Sequence, residues 1–246
     1  DGTKITAIGT DVDMQDADIL DATGLVVTPG LIDMHVHLRQ PGQSAKETIE
    51  SGTKAAAAGG FTRVATMPNT KPVIDSAIIV DGLKYKIAAE GVVKVDIIGS
   101  LSKGLEGKEL SSMGGMAKAG VVAFSDDGRY VQNCDFMRKA MEYAGMFGKI
   151  VIDHCEDADL IEGGHMHEGV VSHELGLKGR PAVAEDIAVA RDILLAEATG
   201  TAVHIAHIST KNAVQMVRQA KAKGLKVTAE ATPQHMILTD EALRSY

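Results

Sequence analysis

The sequence is poor in the residues that mark secreted and membrane-spanning proteins. Its 246 residues include no tryptophan and only two cysteines, Cys134 and Cys155. Two cysteines are too few for a disulfide framework, so we expect reduced thiols and a cytoplasmic protein. No apolar run approaches the roughly 20 residues that a membrane-spanning helix needs. The net charge of −8 argues against nucleic acid or an anionic membrane as a partner.

A repeated unit of helix, glycine and apolar strand organises most of the chain. Predicted helices cover residues 45–58, 84–90, 113–119, 136–147, 183–199 and 210–223. A glycine follows each of them, as is common where a helix ends, and a nearly continuous apolar run comes next. Such runs are typical of parallel strands that are buried on both faces. Together with residues 31–38 they give seven strands and predict an α/β fold, either a barrel or a doubly wound sheet.

Two stretches depart from this pattern. Residues 1–30 contain short strand-like runs at 4–9 and 17–27 with no helix between them. We interpret them as the remnant of a small, β-sandwich-like domain that precedes a barrel over residues 31–246. Residues 163–181 form the one long irregular stretch, and a loop of that length is often functional.

Side chains that can bind metal follow the predicted strands. His35 and His37 end the first strand, Asp127 the fourth, His154 the fifth and His207 the sixth. In a barrel, all parallel strands end at the same rim, so these residues are expected to converge. Imidazoles spaced i and i+2 on a strand point the same way, and a carboxylate has two oxygens to share between two cations. Histidine and carboxylate ligands together favour zinc.

Other polar residues receive structural interpretations. Asp126 and His204 alternate away from the site on their strands, so we expect Asp126 to brace a loop and His204 to pack in the core. Cys155 is expected to be a buried structural thiol. The remaining histidines of the long loop are expected to be solvated: His165, His167 and His173.

The ordered motifs closely resemble those of type I dihydroorotases. They are TPGLIDMHVHLRQPG (28–42), MPNTKP (67–72), AFSDDG (123–128), DHCED (153–157) and AHIST (206–210). The resemblance implies a metal-dependent (β/α)8 TIM-type barrel flanked by a small β-domain. It also implies reversible hydrolysis of dihydroorotate to N-carbamoyl-aspartate in pyrimidine biosynthesis, by metal-activated hydroxide.

The resemblance also implies roles for individual residues. Two zinc ions would be bound, one by His35, His37 and Asp127 and the other by Asp127, His154 and His207. Arg39 and Asn69 would bind the substrate carboxylate, with His37 also close to the substrate. A planar guanidinium suits this task because it can bond a carboxylate through two parallel hydrogen bonds.

Two other functions stay open. Many amidohydrolases bridge their metals with a carbamylated lysine at the end of strand four, but VVAFSDDG (121–128) contains no lysine. This absence weakens, without removing, an allantoinase-like or dihydropyrimidinase-like cyclic amidase. The other alternative is a non-catalytic dihydroorotase-like subunit that scaffolds aspartate carbamoyltransferase. A homodimer and an association with that carbamoyltransferase are also left open.

The sequence further predicts an incomplete barrel. In the family, an aspartate in a TDHAPH-like segment of strand eight is the general acid and base, and no such segment occurs here. We therefore expect that aspartate to lie beyond Tyr246, the final strand to be missing and catalysis by this chain to be impaired. Intact-mass measurement tests the expectation, because a mass near 25.9 kDa for the purified protein would contradict a longer chain.

Overall fold

The computed structural model describes residues 4–12 and 17–245. The chain divides into two units, Asp1–Gly30 and Leu31–Tyr246. The described residues of the first unit form no strand, so the strands predicted at 4–9 and 17–27 are wrong. A strand persists only where a neighbour satisfies its backbone hydrogen-bonding groups, and no strand pairing occurs within this described part of the unit.

The second unit alternates strands and helices. Its strands are β1 (Leu31–Val36), β2 (Phe61–Thr66), β3 (Lys94–Gly99), β4 (Ala123–Ser125), β5 (Ile150–Asp153), β6 (Met166–His167), β7 (Gly179–Arg180), β8 (Val203–Ile205) and β9 (Val227–Ala229). Its α-helices are α1 (Ile49–Ala58), α2 (Ala77–Glu90), α3 (Met113–Ala119), α4 (Cys134–Met146), α5 (Ala158–Ile161), α6 (Val170–Leu175), α7 (Val183–Thr199), α8 (Lys211–Ala222) and α9 (Pro233–Ile237). Short 3-10 helices cover Lys103–Leu105 and Asp240–Ser245.

Seven strands form one parallel sheet. Their order is β1-β2-β3-β4-β5-β8-β9, while β6 and β7 pair separately. A doubly wound sheet would reverse its strand order partway, whereas a sheet wound in one direction with intervening helices is the barrel arrangement. The structure therefore confirms a TIM-type barrel fold that is incomplete in this chain.

Two apolar clusters stabilise this unit. The larger joins strand residues such as Phe124 and Val151 to helix residues such as Met113 and Ala188, so it lies between the sheet and the helices. The smaller consists of residues in or just beyond the strands, Ala65, Met67, Ile98, Ala123, Ile152 and Ala206. Because successive strand residues face opposite sides, this second cluster fills the face of the sheet that the helices do not cover.

The predicted carboxyl ends of the helices are largely accurate, whereas α1 begins four residues later and α2 seven residues earlier than predicted. α3 and α7 have the predicted bounds, and Gly200, which follows α7, has a φ of 70°. Gly91 after α2 is instead extended, with a φ of −75°, so the glycine pattern marks a helix end without fixing its conformation.

Within the described part of the chain, no helix has the length and apolar character needed to cross a membrane.

The stretch predicted to be irregular, 163–181, contains short elements. β6 and β7 pair in parallel, and α6 lies between them. Elements of this length carry too few residues for hydrophobic periodicity to reveal them. The prediction of an unstructured loop is therefore wrong, although the segment does lie beside the candidate site.

The loops after β1 and β2 pack too closely for any side chain at Gly42. Gly42 has a φ of +85°, and a Cβ there would lie 1.7 Å from the Lys71 carbonyl oxygen. Gln43 Nε2 also donates to the Asn69 carbonyl oxygen at 3.2 Å. These contacts fix the relative positions of the segments that carry Arg39 and Asn69.

We expect Gly42→Ala to lower the free energy of unfolding by at least about 2 kcal/mol, since left-handed backbone strain adds to a backbone clash. Urea denaturation measures the change. Gly82→Ala in α2 is the matched control, because its Cβ would meet no atom within 4 Å and helix propensity favours alanine. Equal stability of the Gly42 variant and the unmodified protein would contradict the tight loop contact.

Candidate metal centre

Four histidines surround the buried carboxylate of Asp127 at the carboxyl ends of the strands. Asp127 Oδ2 lies 3.3 Å from His35 Nε2 and 3.5 Å from His37 Nε2. Oδ1 lies 3.4 Å from His207 Nε2 and 3.6 Å from His154 Nδ1. The structure thus brings together all five residues that the sequence singled out as metal ligands. Each carboxylate oxygen faces one pair of imidazoles.

These residues fit zinc. Two ligand atoms about 2.0–2.1 Å from a tetrahedral zinc ion are roughly 3.3–3.4 Å apart, and the nitrogen–oxygen distances of 3.3–3.6 Å are close to that value. Asp127 Oδ1 is also buried without a hydrogen-bond partner among the described residues. A cation between the carboxylate and the imidazoles would satisfy that oxygen.

The two pairs of histidines are close neighbours. His35, Asp127 and His207 offer ligand atoms that all lie within 4.8 Å of one another. His154 Nδ1 and His207 Nε2 are 2.9 Å apart. His35 and His207 were predicted to bind different ions, and the structure places their ligand atoms in one compact group.

The carboxylate and the imidazoles of the site shift one another's pKa values. Burial alone would raise the pKa of Asp127, but pairing with His154, His207 and His35 holds that pKa far below its usual range. Burial opposes protonation of His35 and His154, yet their carboxylate partners raise each pKa to about 9. The pKa of His37 is lowered, mainly by burial. The site therefore attracts positive charge, as protons or as metal.

The predicted substrate-binding residues lie beside this centre. Asn69 Oδ1 is 2.9 Å from His37 Nδ1. Arg39 follows β1 with a φ of 58°, and within residues 4–12 and 17–245 its side chain has no hydrogen bond or ion pair. A partly buried guanidinium without a protein partner has its hydrogen-bond donors available for an anionic ligand.

Asp126 behaves as predicted, whereas His204 does so only in being buried. Asp126 accepts hydrogen bonds from the backbone N–H groups of Leu101 (2.8 Å) and Ser102 (3.0 Å), so it braces the loop after β3. His204 is buried, and its Nδ1 lies 2.8 Å from Thr228 Oγ1. Its Nε2 lies 3.3 Å from Oε2 of Glu230, a residue beside the site, so the prediction that His204 turns away from the site is wrong. The sequence therefore identified correctly which of the adjacent aspartates faces the site.

The sequence reasoning missed two acidic residues that contact the ligand histidines. Glu230 Oε1 lies 2.5 Å from His35 Nδ1, and Glu156 Oε2 lies 3.4 Å from His154 Nε2. Their position in the sequence could have identified them, since both residues lie just beyond the ends of strands, as the predicted ligands do. Burial would raise the pKa of Glu230, but its histidine partners lower it to about 2.

A second group of potential ligands lies buried behind His154. Asp153, Cys155 and Asp192 offer donor atoms within 4.8 Å of one another, but Arg191 Nη2 lies 2.9 Å from Asp153 Oδ2 and 2.6 Å from Asp192 Oδ1. The guanidinium already supplies a positive charge there. Burial and the nearby carboxylates raise the pKa of the Cys155 thiol well above its usual value, and Cys155 is the buried structural residue that was predicted.

A cavity of about 800 Å³ opens beside the centre. His154 and His207 line one part of it, and His165, His167 and Arg180 of the 163–181 segment line another. The histidines of that segment are exposed, as predicted. A volume of this size admits a small-molecule ligand.

A family model described as dihydro-orotase-like matches residues 24–213. A curated dihydroorotase from Pelotomaculum thermopropionicum is 56% identical over 99% of this chain and 57% of its own length. One from Ruminiclostridium cellulolyticum is 52% identical over 98% of this chain and 56% of its own length. The chain thus spans little more than half the length of these curated relatives.

Solved structures show the same fold. A dihydropyrimidinase from Brevibacillus agri has a TM-score of 0.78 and 25% identity, over 100% of this chain and 55% of that one. A dihydroorotase from Saccharomyces cerevisiae in complex with 5-fluoroorotic acid has a TM-score of 0.63 and 20% identity, over 88% of this chain and 59% of that one.

We expect Asp127→Ala to lose most of the bound zinc, because every candidate ligand histidine faces that carboxylate. Elemental analysis after dialysis against zinc measures the ratio of metal to protein. Asp126→Ala is the matched control: it should retain zinc while losing about 1–3 kcal/mol of stability with its buried hydrogen bonds. Full zinc content in the Asp127 variant would contradict this metal centre.

Proposed function

The chain belongs to the dihydro-orotase-like family, and from this premise we propose that it carries the metal centre and the carboxylate-binding part of a dihydroorotase. The reaction is the reversible hydrolysis of the cyclic amide of dihydroorotate to N-carbamoyl-aspartate, a step of pyrimidine biosynthesis. The observation that carries the proposal is the convergence of four imidazoles from β1, β5 and β8 on the buried Asp127 carboxylate.

The proposed cofactor is zinc, with two ions. His35, His37 and Asp127 would hold one ion, and Asp127, His154 and His207 the other. When bound, zinc supplies an activated water at neutral pH and polarises the amide carbonyl. The chain itself contributes the imidazoles and the Asp127 carboxylate, which stays ionised at neutral pH, as its lowered pKa indicates.

Recognition of the substrate carboxylate is assigned to Arg39 and Asn69, with His37 nearby. The Arg39 guanidinium supports this assignment, because it pairs with no group in the part of the chain that the structure describes, and so does the position of Asn69 against the His37 ring. The general acid and base remains unassigned within residues 1–246. Residues 1–30 are proposed to belong to a small β-domain.

A related cyclic amidase is the second candidate, because the fold also matches the dihydropyrimidinase from Brevibacillus agri. Its weakness is that the segment just after β4 holds Asp127 and contains no lysine. A non-catalytic scaffold ranks third, since all five candidate ligands are present and converge.

The proposal includes a cytoplasmic location, consistent with two free cysteines. A homodimer and an aspartate carbamoyltransferase partner remain open within it.

The test compares dihydroorotate with dihydrouracil, which lacks the carboxylate. Binding to the zinc-loaded protein is measured by calorimetry, and hydrolysis, which is expected to be slow because no general acid and base is assigned, by absorbance. We expect dihydroorotate to be the preferred ligand and substrate. His154→Ala should abolish hydrolysis of both compounds. Arg39→Ala should weaken dihydroorotate binding about 10–100-fold, the equivalent of one charged hydrogen bond of about 1.5–3 kcal/mol, and leave dihydrouracil unaffected.

His173→Ala is the matched control, because His173 is exposed on α6 and does not line the cavity. Preference for dihydrouracil over dihydroorotate would replace the proposal with the cyclic-amidase alternative. If Arg39→Ala weakened the binding of both compounds equally, Arg39 would not be the residue that recognises the carboxylate.

A further inference from the structure

Glu230 lies behind His35, on the side of the ring that faces away from Asp127. Its Oε1 is 2.5 Å from His35 Nδ1, while His35 Nε2 faces Asp127 Oδ2 at 3.3 Å. β1 and β9 are the two outer strands of the sheet order, yet these side chains meet directly. We infer that Glu230 is a positioning residue that holds His35 in the orientation and tautomer required for metal binding. The inference rests on the metal centre of the proposed function.

The chemistry of imidazole gives the reason. A neutral histidine has one N–H group and one nitrogen with a free lone pair. When Nδ1–H donates to a carboxylate, Nε2 keeps its lone pair and can act as the ligand. Without Glu230, the ring of His35 could rotate or carry its proton on Nε2, and the nitrogen that faces Asp127 would then be unable to bind a cation.

Glu230 is itself held in place. Its backbone N–H donates to the Ile205 carbonyl at 3.1 Å, and its carbonyl accepts from the Ile208 N–H at 2.8 Å. Its second carboxylate oxygen lies 3.3 Å from Nε2 of the buried His204, although the two are not aligned for a hydrogen bond. Thr228 contacts the other nitrogen of His204. The backbone of Glu230 is therefore fixed, and its carboxylate lies between His35 and His204.

The same arrangement occurs at a second ligand. Asn69 Oδ1 contacts His37 Nδ1 at 2.9 Å, and His37 Nε2 faces Asp127. His35 in β1 and His37 just after it thus each present Nε2 to Asp127 and Nδ1 to a polar partner. This repetition favours an orienting role for Glu230 over a role as a ligand, because Asn69 and Glu230 occupy equivalent positions behind the two rings.

The experiment compares Glu230→Ala and Glu230→Gln in the whole chain. Zinc affinity is measured by competition with a chelator, zinc content by elemental analysis, and the His35 tautomer by nitrogen-15 NMR of the zinc-loaded protein. We expect Glu230→Ala to lower zinc affinity about 10–100-fold, as for other partners of metal-bound histidines. Glu230→Gln should recover most of that loss, since its amide oxygen accepts the same Nδ1–H bond. Glu197→Ala on the exposed side of α7 is the control and should change nothing.

Unchanged zinc affinity and an unchanged His35 tautomer in Glu230→Ala would overturn the inference. So would equal loss in the Ala and Gln variants with one zinc ion fewer per chain, because Glu230 would then be a ligand. Circular dichroism establishes that each variant is folded, and the Gln variant, which keeps size and shape, provides the comparison if the Ala variant unfolds. Failure of dihydroorotate to bind, with these zinc results intact, would count against the proposed substrate alone.

Discussion

The carboxylate of Asp127 is the point on which the arrangement of the sheet depends. Removing an ionised carboxylate from water costs several kcal/mol unless nearby charges or hydrogen bonds compensate. Here the compensation comes from histidines carried by β1, β5 and β8, all within 3.6 Å of its oxygens. The relative positions of four strands are therefore tied to one buried charge, and a change in any of them would leave it exposed or unpaired.

A second layer of polar contacts fixes the orientation of the histidines. Glu230 and Asn69 hold the far nitrogens of His35 and His37. Asp153, the residue before His154, is paired with Arg191 of α7. The helices thus do more than cover the sheet, since a buried ion pair from α7 anchors the strand end that presents a ligand. Partners of this kind determine how well imidazoles are aligned for a metal.

Adjacent residues divide structural and functional work. Asp126 turns toward the loop after β3 and accepts its backbone hydrogen bonds, while Asp127 turns toward the histidines. Burial raises the pKa of Asp126, and the histidines lower that of Asp127. The difference follows from the alternation of side chains along an extended chain. One aspartate stabilises the rim of the barrel and the other creates the site.

The sequence alone determined the alternation of strands and helices, the carboxyl ends of most predicted helices and the five residues that converge, because periodicity and strand-end position are local properties. Glu230 and Glu156 stand at strand ends too, but their contacts with His35 and His154 follow from how the sheet curls. The short elements within 163–181 and the absence of strands in the described part of residues 1–30 were also decided by tertiary structure. A strand or a side-chain pair forms only where a segment distant in sequence supplies its partner. A local sequence pattern does not show which distant segment that is.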